Sequence, residues 1–111
     1  LKEITIPSSV TEIGAHAFDG CTALVKLQGL ENVTNLSDFT FYNCISLQDV
    51  GDLTSLTSIG ESAFAGCKSL TQLGDMPHLK SIGASAFFIQ YQLGRWNRTI
   101  LRFTEAYWRH F

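Results

Sequence analysis

The sequence has little charge and no long apolar run. Only 16% of its 111 residues are charged, and the formal net charge is −2. This near-neutral balance gives no case for a nucleic-acid partner, because a phosphate backbone selects basic surfaces. No apolar segment approaches the roughly 20 residues of a membrane-spanning helix, and no signal peptide is visible. A hydrophobic content of 45% nevertheless fits a packed chain and not a disordered one.

The motifs of common catalytic and metal sites are also missing. There is no H-E-x-x-H, no Ser-His-Asp ordering and no glycine-rich phosphate loop. The cysteines do not form the closely spaced pairs that are typical of zinc sites. A catalytic dyad of Cys21 and His16 would need an exposed thiol. The repeated sequence pattern described next predicts that Cys21 instead points into the core. We therefore expect no enzymatic activity, no bound metal and no cofactor.

What the sequence does have is a repeat of 23 residues, and a period in this range predicts a stacked solenoid. The unit reads L-x-x-I-x-x-x-x-x-V-x-x-I-G-x-x-A-F-x-G-C, and units begin at Leu1, Leu24, Leu47 and Leu70. Because Leu1 is already the first apolar position of a unit, we expect the chain to be an excerpt from a longer array.

The repeat predicts short strands that stack in parallel. Residues 1–6 form the best strand candidate, which Pro7 ends. Its equivalents near residues 24–27, 47–50 and 70–73 would lie about 4.8 Å apart in a parallel ladder. Glycine at positions 14, 60 and 83 predicts a backbone turn that a side chain would obstruct. The second unit, with Ser37 and Thr40 in place of the usual Gly and Ala, is the least regular.

Two columns of equivalent residues are predicted to form the core. They are a stack of rings, Phe18, Phe41, Phe64 and Phe87, and a column of thiols, Cys21, Cys44 and Cys67. Stacked thiols lie within disulfide range, but side chains that point inward in parallel suit that bond poorly. We expect free thiols that react slowly, because burial raises the pKa of a thiol and blocks access to it.

These residues carry a resemblance to a known family. The segment Ile-Pro-Ser-Ser-Val-Thr-Glu-Ile-Gly-Ala-His-Ala-Phe-Asp-Gly-Cys (residues 6–21) is echoed by residues 56–67 and 79–87. It resembles the BspA-type leucine-rich repeat of bacterial surface proteins and of surface families in some protists, over residues 1–87. Unlike commoner leucine-rich repeats, this chain has no regular Asn ladder. The resemblance implies an α/β-type repeat solenoid, coiled as a right-handed superhelix of about four units, with strands lining one face. It also implies adhesion or recognition at the cell surface or outside the cell.

In leucine-rich repeats the exposed strand positions form the concave surface, which is the usual contact surface of a solenoid. The partner implied is a protein or another macromolecule. Two alternatives stay open: a purely structural segment of a stalk, and an intracellular protein-binding scaffold. The candidate binding residues are Glu3, Lys26, Gln28, Gln48, Asp49, Asp52, Thr71, Gln72 and Asp75.

The composition changes near residue 88. Residues 1–87 contain no Arg and have a charge balance of −5, whereas residues 88–111 contain no Lys and have a balance of +3. We therefore divide the chain into repeats, 1–90, and a non-repeat segment, 91–111. Helical spacing in that segment predicts an amphipathic helix that caps the last unit. The alternatives are a basic amphipathic helix that meets a membrane surface or a partner, an edge strand and a poorly ordered end. The apolar face of the predicted helix consists of Trp96, Ile100, Phe103 and Tyr107.

Three asparagines, Asn32, Asn35 and Asn97, match the glycosylation acceptor pattern. Such short motifs are frequent by chance in a sequence rich in Ser and Thr. We therefore interpret them as ordinary polar positions and leave glycosylation open.

Overall fold

The computed structural model describes residues 2–88, in which short strands alternate with turns and each circuit advances the chain by one 23-residue unit. Within residues 2–88 the chain forms six strands and one 3-10 turn, Leu30–Asn32. The strands are β1 (Glu3–Thr5), β2 (Glu12–Ile13), β3 (Lys26–Gln28), β4 (Asn35–Leu36), β5 (Ser58–Ile59) and β6 (Ser81–Ile82).

The strands pair in parallel, and they form two sheets. β1 pairs with β3 in a two-stranded sheet, and the other strands form a four-stranded sheet in the order β2-β4-β5-β6. Each register joins equivalent residues of neighbouring units, as in Ile4↔Leu27 and Ile13↔Leu36. The repeat in sequence is therefore also the repeat in space, which is the defining property of a solenoid.

One continuous apolar core runs through the units. Each strand of the four-stranded sheet contributes one buried aliphatic side chain, as Ile59 and Ile82 do. The two-stranded sheet contributes Leu27, which is fully buried, and Ile4, which packs against the core at its edge. Neighbouring units bury one another's apolar residues, because a single unit has no second layer to cover its own.

The four equivalent phenylalanines stack along this core. Their ring centroids are separated by 5.3, 5.3 and 5.5 Å from Phe18 to Phe87, and the rings are within 15° of parallel. Three of the rings are fully buried, while Phe18 is half-buried at the first unit. Backbone hydrogen bonds of 2.8 Å join the same positions, for example from Phe41 N–H to the Ala63 carbonyl. The stack therefore follows the backbone spacing of neighbouring units.

The predicted ladder of residues 47–50 and 70–73 is wrong in its later part. The ladder of β1 and β3 continues only as a single bridge between Lys26 and Asp49, and within residues 2–88 no strand forms at 70–73. The cause lies in the local backbone. Gly51 has a φ of 68°, and the Asp49 Oδ1 atom accepts a hydrogen bond from the Gly51 N–H at 2.8 Å. This turn takes the chain out of the extended conformation that pairing requires.

The predicted turn at the repeated glycines is also misplaced. The positive φ angles occur two residues later, at non-glycine positions. Gly60 is instead required for space, because a Cβ atom there would lie 2.6 Å from the backbone N of Asp38. The obstruction was predicted, but its cause is close packing of neighbouring units and not a left-handed turn. The left-handed residues of this phase are His16, Phe39, Ser62 and Ser85.

The α-helical part of an α/β-type solenoid is not found in residues 2–88, where the only helical element is the 3-10 turn. Over the same residues no helix is long and apolar enough to cross a membrane. The predicted capping helix within residues 91–111 and the boundary at residue 90 lie outside the described residues. The handedness of the superhelix stays a prediction.

Candidate functional site

The nine candidate binding residues lie on or beside the two-stranded sheet and its continuation. We call this surface the strand face; it comprises β1, β3 and the equivalent residues 48–52 and 71–75. Eight of the nine candidates are exposed, and Lys26 is half-buried. The register places Lys26 between Glu3 and Asp49, so a basic side chain stands between two acidic ones on adjacent units.

Between the third and fourth units the strand face opens into a cleft. The cleft has a volume of about 500 Å³ and is lined by residues 48–52 and 72–74. Four of the predicted binding residues, Gln48, Asp49, Asp52 and Gln72, line it. Thr71 and Asp75 adjoin the lining in sequence. The candidates on the two-stranded sheet, Glu3, Lys26 and Gln28, are not part of the lining.

The cleft forms where the backbone ladder of the strand face stops. The first and second units are joined by Val25 N–H to the Lys2 carbonyl, and the second and third by Gln48 N–H to the Val25 carbonyl, both at 2.8 Å. No backbone hydrogen bond between described residues joins 48–52 to 71–75. On the four-stranded side the same units remain joined, through Lys80 N–H to the Thr57 carbonyl at 2.8 Å. The opening is therefore confined to one side of the coil.

The lining of the cleft is acidic and rich in hydrogen-bond acceptors. Asp49 and Asp52 are exposed there, and none of the lining residues is basic. Among residues 2–88 no ion pair neutralises either carboxylate, since the salt bridge of the described part joins His16 to Asp19. A ligand that brings positive charge and hydrogen-bond donors would match this lining.

The thiol column runs along the core of the coil, and its first member, Cys21, lies at the edge of that core. No disulfide joins the three cysteines, all of which lie within residues 2–88; Cys44 and Cys67 are buried, whereas Cys21 is half-buried. The thiols of Cys44 and Cys67 donate hydrogen bonds of 3.0 Å to the carbonyls of Phe18 and Phe41. They therefore tie each unit to the one before it.

The predicted rise in pKa holds for only one of the two shifted thiols. Burial raises the pKa of Cys21, with a smaller contribution from Cys44. The pKa of Cys44 is lowered, chiefly by hydrogen bonding with the Cys67 thiol, although burial opposes this. The expectation of a raised pKa is therefore wrong for Cys44, because hydrogen bonding with the neighbouring thiol stabilises its thiolate. Complete burial still keeps reagents from Cys44.

An aromatic cluster on the first two units was not predicted. The ring of His16 stacks on Phe39 with centroids 5.0 Å apart, and Tyr42 meets Phe39 edge-on at 5.3 Å. The Nδ1 atom of His16 lies 2.7 Å from Asp19 Oδ2. The signal was available, since His16 and Phe39 are equivalent positions of neighbouring units. No group of three or more potential metal ligands occurs in the part of the chain that the structure describes.

Two of the three glycosylation-type asparagines have their side chains engaged between units. The amide of Asn32 donates to the Ser8 carbonyl at 3.1 Å, and that of Asn35 donates to Glu12 Oε1 at 3.4 Å. Asn35 also accepts a short hydrogen bond from the Ser58 hydroxyl. The two described residues therefore have a structural role in the coil. Asn97 lies outside the described residues.

Comparison with known proteins identifies relatives of this coil. Residues 1–98 match the family model "BspA type Leucine rich repeat region (6 copies)". A leucine-rich repeat protein of T. pallidum (TpLRR) is similar in structure, with a TM-score of 0.77 and 35% sequence identity over 83% of this chain. A leucine-rich cell surface protein of Faecalibacterium prausnitzii A2-165 gives a TM-score of 0.62 and 28% identity over 91% of this chain. A leucine-rich repeat protein from Bacteroides ovatus ATCC 8483 gives a TM-score of 0.51 and 27% identity over 84% of this chain.

The chain spans less than half of each of these solved structures: 43% of the T. pallidum protein, 34% of the F. prausnitzii protein and 36% of the B. ovatus protein. No curated protein matches it. The family match covers most of the 111 residues and agrees with the parallel, 23-residue register of the strands. The predicted resemblance is confirmed, and the chain belongs to the BspA-type leucine-rich repeat family.

Proposed function

We propose that the chain is a non-catalytic segment of a larger cell-surface protein, and that its strand face binds a protein partner. Leucine-rich repeats as a class build extended binding surfaces from stacked units. One structurally similar protein is described as a leucine-rich cell surface protein, and the present chain corresponds to 34% of its length. Both findings support a binding role at the cell surface for the whole protein.

The observation that carries the proposal is the strand face itself. Eight of its nine candidate side chains are exposed above a buried, regularly spaced core, and none of the nine belongs to that core. They include both signs of charge and several amides, in the order Glu3, Lys26 and Asp49 across neighbouring units. Varied polar groups on a rigid support suit recognition of a protein surface, whereas catalysis requires a convergent set of groups.

A binding experiment with matched charge changes tests the proposal. The chain and its variants are presented to a panel of purified extracellular-matrix and cell-surface proteins, and affinities are measured by surface plasmon resonance. For any panel member that the parent binds, Lys26→Glu and Asp49→Arg should weaken binding by about 10-fold or more. Lys80→Glu makes the same charge change beside β6, and it should alter affinity by less than about 2-fold.

Two outcomes would contradict the proposal. If the parent binds no member of the panel, the structural-stalk interpretation is favoured. If Lys80→Glu weakens binding as strongly as Lys26→Glu does, another face of the coil makes the contact. Denaturant unfolding of each variant separates both outcomes from loss of fold, since exposed substitutions change stability by about 0.5 kcal/mol or less.

A further inference from the structure

The cleft leaves two backbone groups without the partners that their equivalents have. In the second unit the Leu27 N–H donates to the Asp49 carbonyl at 2.9 Å, and the Val25 carbonyl accepts from Gln48 N–H at 2.8 Å. The equivalents in the third unit are the Val50 N–H and the Gln48 carbonyl. Among residues 2–88 neither has a hydrogen-bond partner. The third unit therefore presents one backbone donor and one backbone acceptor toward the fourth unit.

The position of Val50 indicates what takes the place of the missing hydrogen-bond partner. Val50 is only 2% exposed and belongs to the apolar core, yet it also lines the cleft. Since its side chain packs in the core, its backbone faces the cleft. Buried backbone N–H groups are almost always paired, so one without a protein partner indicates a water or a ligand group at that place.

The charge around these groups indicates what kind of ligand fits. Asp49 uses its Oδ1 atom to hold the Gly51 N–H, which leaves its Oδ2 atom for an outside donor. Asp52 is exposed in the same lining, and no lining residue supplies a compensating positive charge. The volume of about 500 Å³ is within the range of pockets that hold small ligands or a few side chains, and is too small for a folded domain.

We propose that the cleft binds an extended, basic segment of a protein partner. The segment adds to the interrupted ladder as a short strand: its carbonyl accepts from the Val50 N–H and its N–H donates to the Gln48 carbonyl. A Lys or Arg side chain of the segment contacts Asp49 and Asp52. Strand addition of this kind takes affinity from main-chain hydrogen bonds and specificity from alternate side chains. The inference rests on the proposed function and names the partner chemistry for one part of the strand face.

An NMR titration of the full chain with a synthetic peptide tests the inference. The probe is the capped peptide Lys-Val-Arg-Val-Lys. Its first control has the same side chains but N-methylated central amides, which keeps the charge and removes the donors for the ladder. Its second control replaces each basic residue by Glu. We expect the parent peptide to shift the Val50 amide resonance and slow its hydrogen exchange. The N-methylated peptide should bind about 5-fold or more weakly, and the acidic peptide should not bind at about 1 mM.

Variants of the chain test the negative charges of Asp49 and Asp52 while they keep the turn at Gly51. The double variant Asp49→Asn with Asp52→Asn removes both negative charges, and Asp49→Asn keeps an Oδ1 acceptor for the Gly51 N–H. The pair of substitutions should weaken peptide binding by about 10-fold or more. Asp38→Asn is the matched control, because Asp38 Oδ1 likewise accepts a backbone N–H, from Glu61 at 2.8 Å. It should change the affinity by less than about 2-fold.

The opposite results overturn the inference. Binding that is unaffected by N-methylation means that the peptide is held by charge alone and does not add as a strand. A Val50 amide that is already protected from exchange before peptide is added means that another segment of this chain occupies the cleft. If the peptide fails to bind while Lys26→Glu still weakens binding of a panel protein, the proposed function stands and this inference fails. If both measurements are negative, the proposed function fails as well.

Discussion

The two sides of the coil differ in how far their backbone ladders run. The four-stranded sheet joins all four units, whereas the ladder of the strand face ends at the bridge of Lys26 and Asp49. Both sides are built from the same units in the same register. The difference therefore comes from local residues and not from the repeat. It shows that a solenoid can keep its stacking on one side while it varies the other.

The residue types account for the difference. The four-stranded side carries β-branched residues, which fit a pleated surface. Its threonines also add side-chain bonds between units, as in Thr57 Oγ1 to the Thr34 carbonyl at 2.9 Å. The third and fourth units of the strand face instead contain Gly and Asp, which are depleted in strands. There the side chain of Asp49 supports a turn at Gly51, so the extended backbone ends and pairing stops.

The largest effect is expected in the apolar core that both sides of the coil share. Phe64 is fully buried between Phe41 and Phe87, so Phe64→Ala should lower the free energy of unfolding by about 3–5 kcal/mol. Denaturant unfolding followed by circular dichroism measures the loss. Phe18→Ala, at the half-buried end of the stack, is the matched control and should cost clearly less. Equal losses at the two positions would mean that the stack is not what holds the units together.

A pair of glycine substitutions compares the two sides directly. Gly60→Ala, beside β5, would place a Cβ atom 2.6 Å from backbone atoms of Asp38 and Ser37. The neighbouring unit must shift, and we expect a loss of about 1–3 kcal/mol. At Gly74, in the lining of the cleft, an added Cβ meets no atom of the described residues within 4 Å. Gly74→Ala should therefore be neutral or stabilise by about 0.4–1 kcal/mol. A larger loss at Gly74 than at Gly60 would show that the cleft is closed in solution.

Thiol labelling compares the reactivity of the first cysteine of the thiol column with that of the two cysteines that follow it. In the native chain Cys44 and Cys67 should react about 10-fold or more slowly than the half-buried Cys21, because reagents reach them only after local opening. Burial raises the pKa of Cys21, so less thiolate is present at a given pH and its rate should keep rising above the pH range of an ordinary thiol. Tandem mass spectrometry locates the label, because fragmentation separates Cys44 from Cys67 on their shared tryptic peptide, and denatured protein provides the reference rates. Should Cys44 react first, its lowered pKa would outweigh its burial.

The smallest effect concerns a single side-chain bond of the continuous side. Thr57→Val removes the hydroxyl that donates to the Thr34 carbonyl, and it should cost about 0.5–1.5 kcal/mol in thermal or urea unfolding. Thr71→Val makes the same change at an exposed position of the strand face and should stay within about 0.5 kcal/mol. If the two variants lose the same stability, the hydrogen bond from the Thr57 hydroxyl to the Thr34 carbonyl does not help to hold neighbouring units together on the four-stranded side.

Much of the candidate site was accessible to sequence reasoning, but its shape was not. Equivalent positions of the unit predicted that Gln48, Asp49, Asp52 and Gln72 share one surface, and all four line the cleft. Nothing in the period indicated that the ladder would stop beside them. That depends on a side chain holding the N–H of Gly51 in a turn, which alters pairing with the next unit. The four-stranded sheet was missed because two-residue strands are too short to show a period of two.

The sequence by itself determined the period, the family and which residues stack in the core. It could do so because every circuit of a solenoid brings equivalent residues to the same place, so a column such as Phe41 and Phe64 follows from spacing alone. Only the tertiary structure decided where neighbouring backbones pair and where they separate. Pairing requires both units to be extended at the same place, and Gly60 shows that it also depends on how closely the two backbones approach. These are relations between units, and a pattern read along one chain does not contain them.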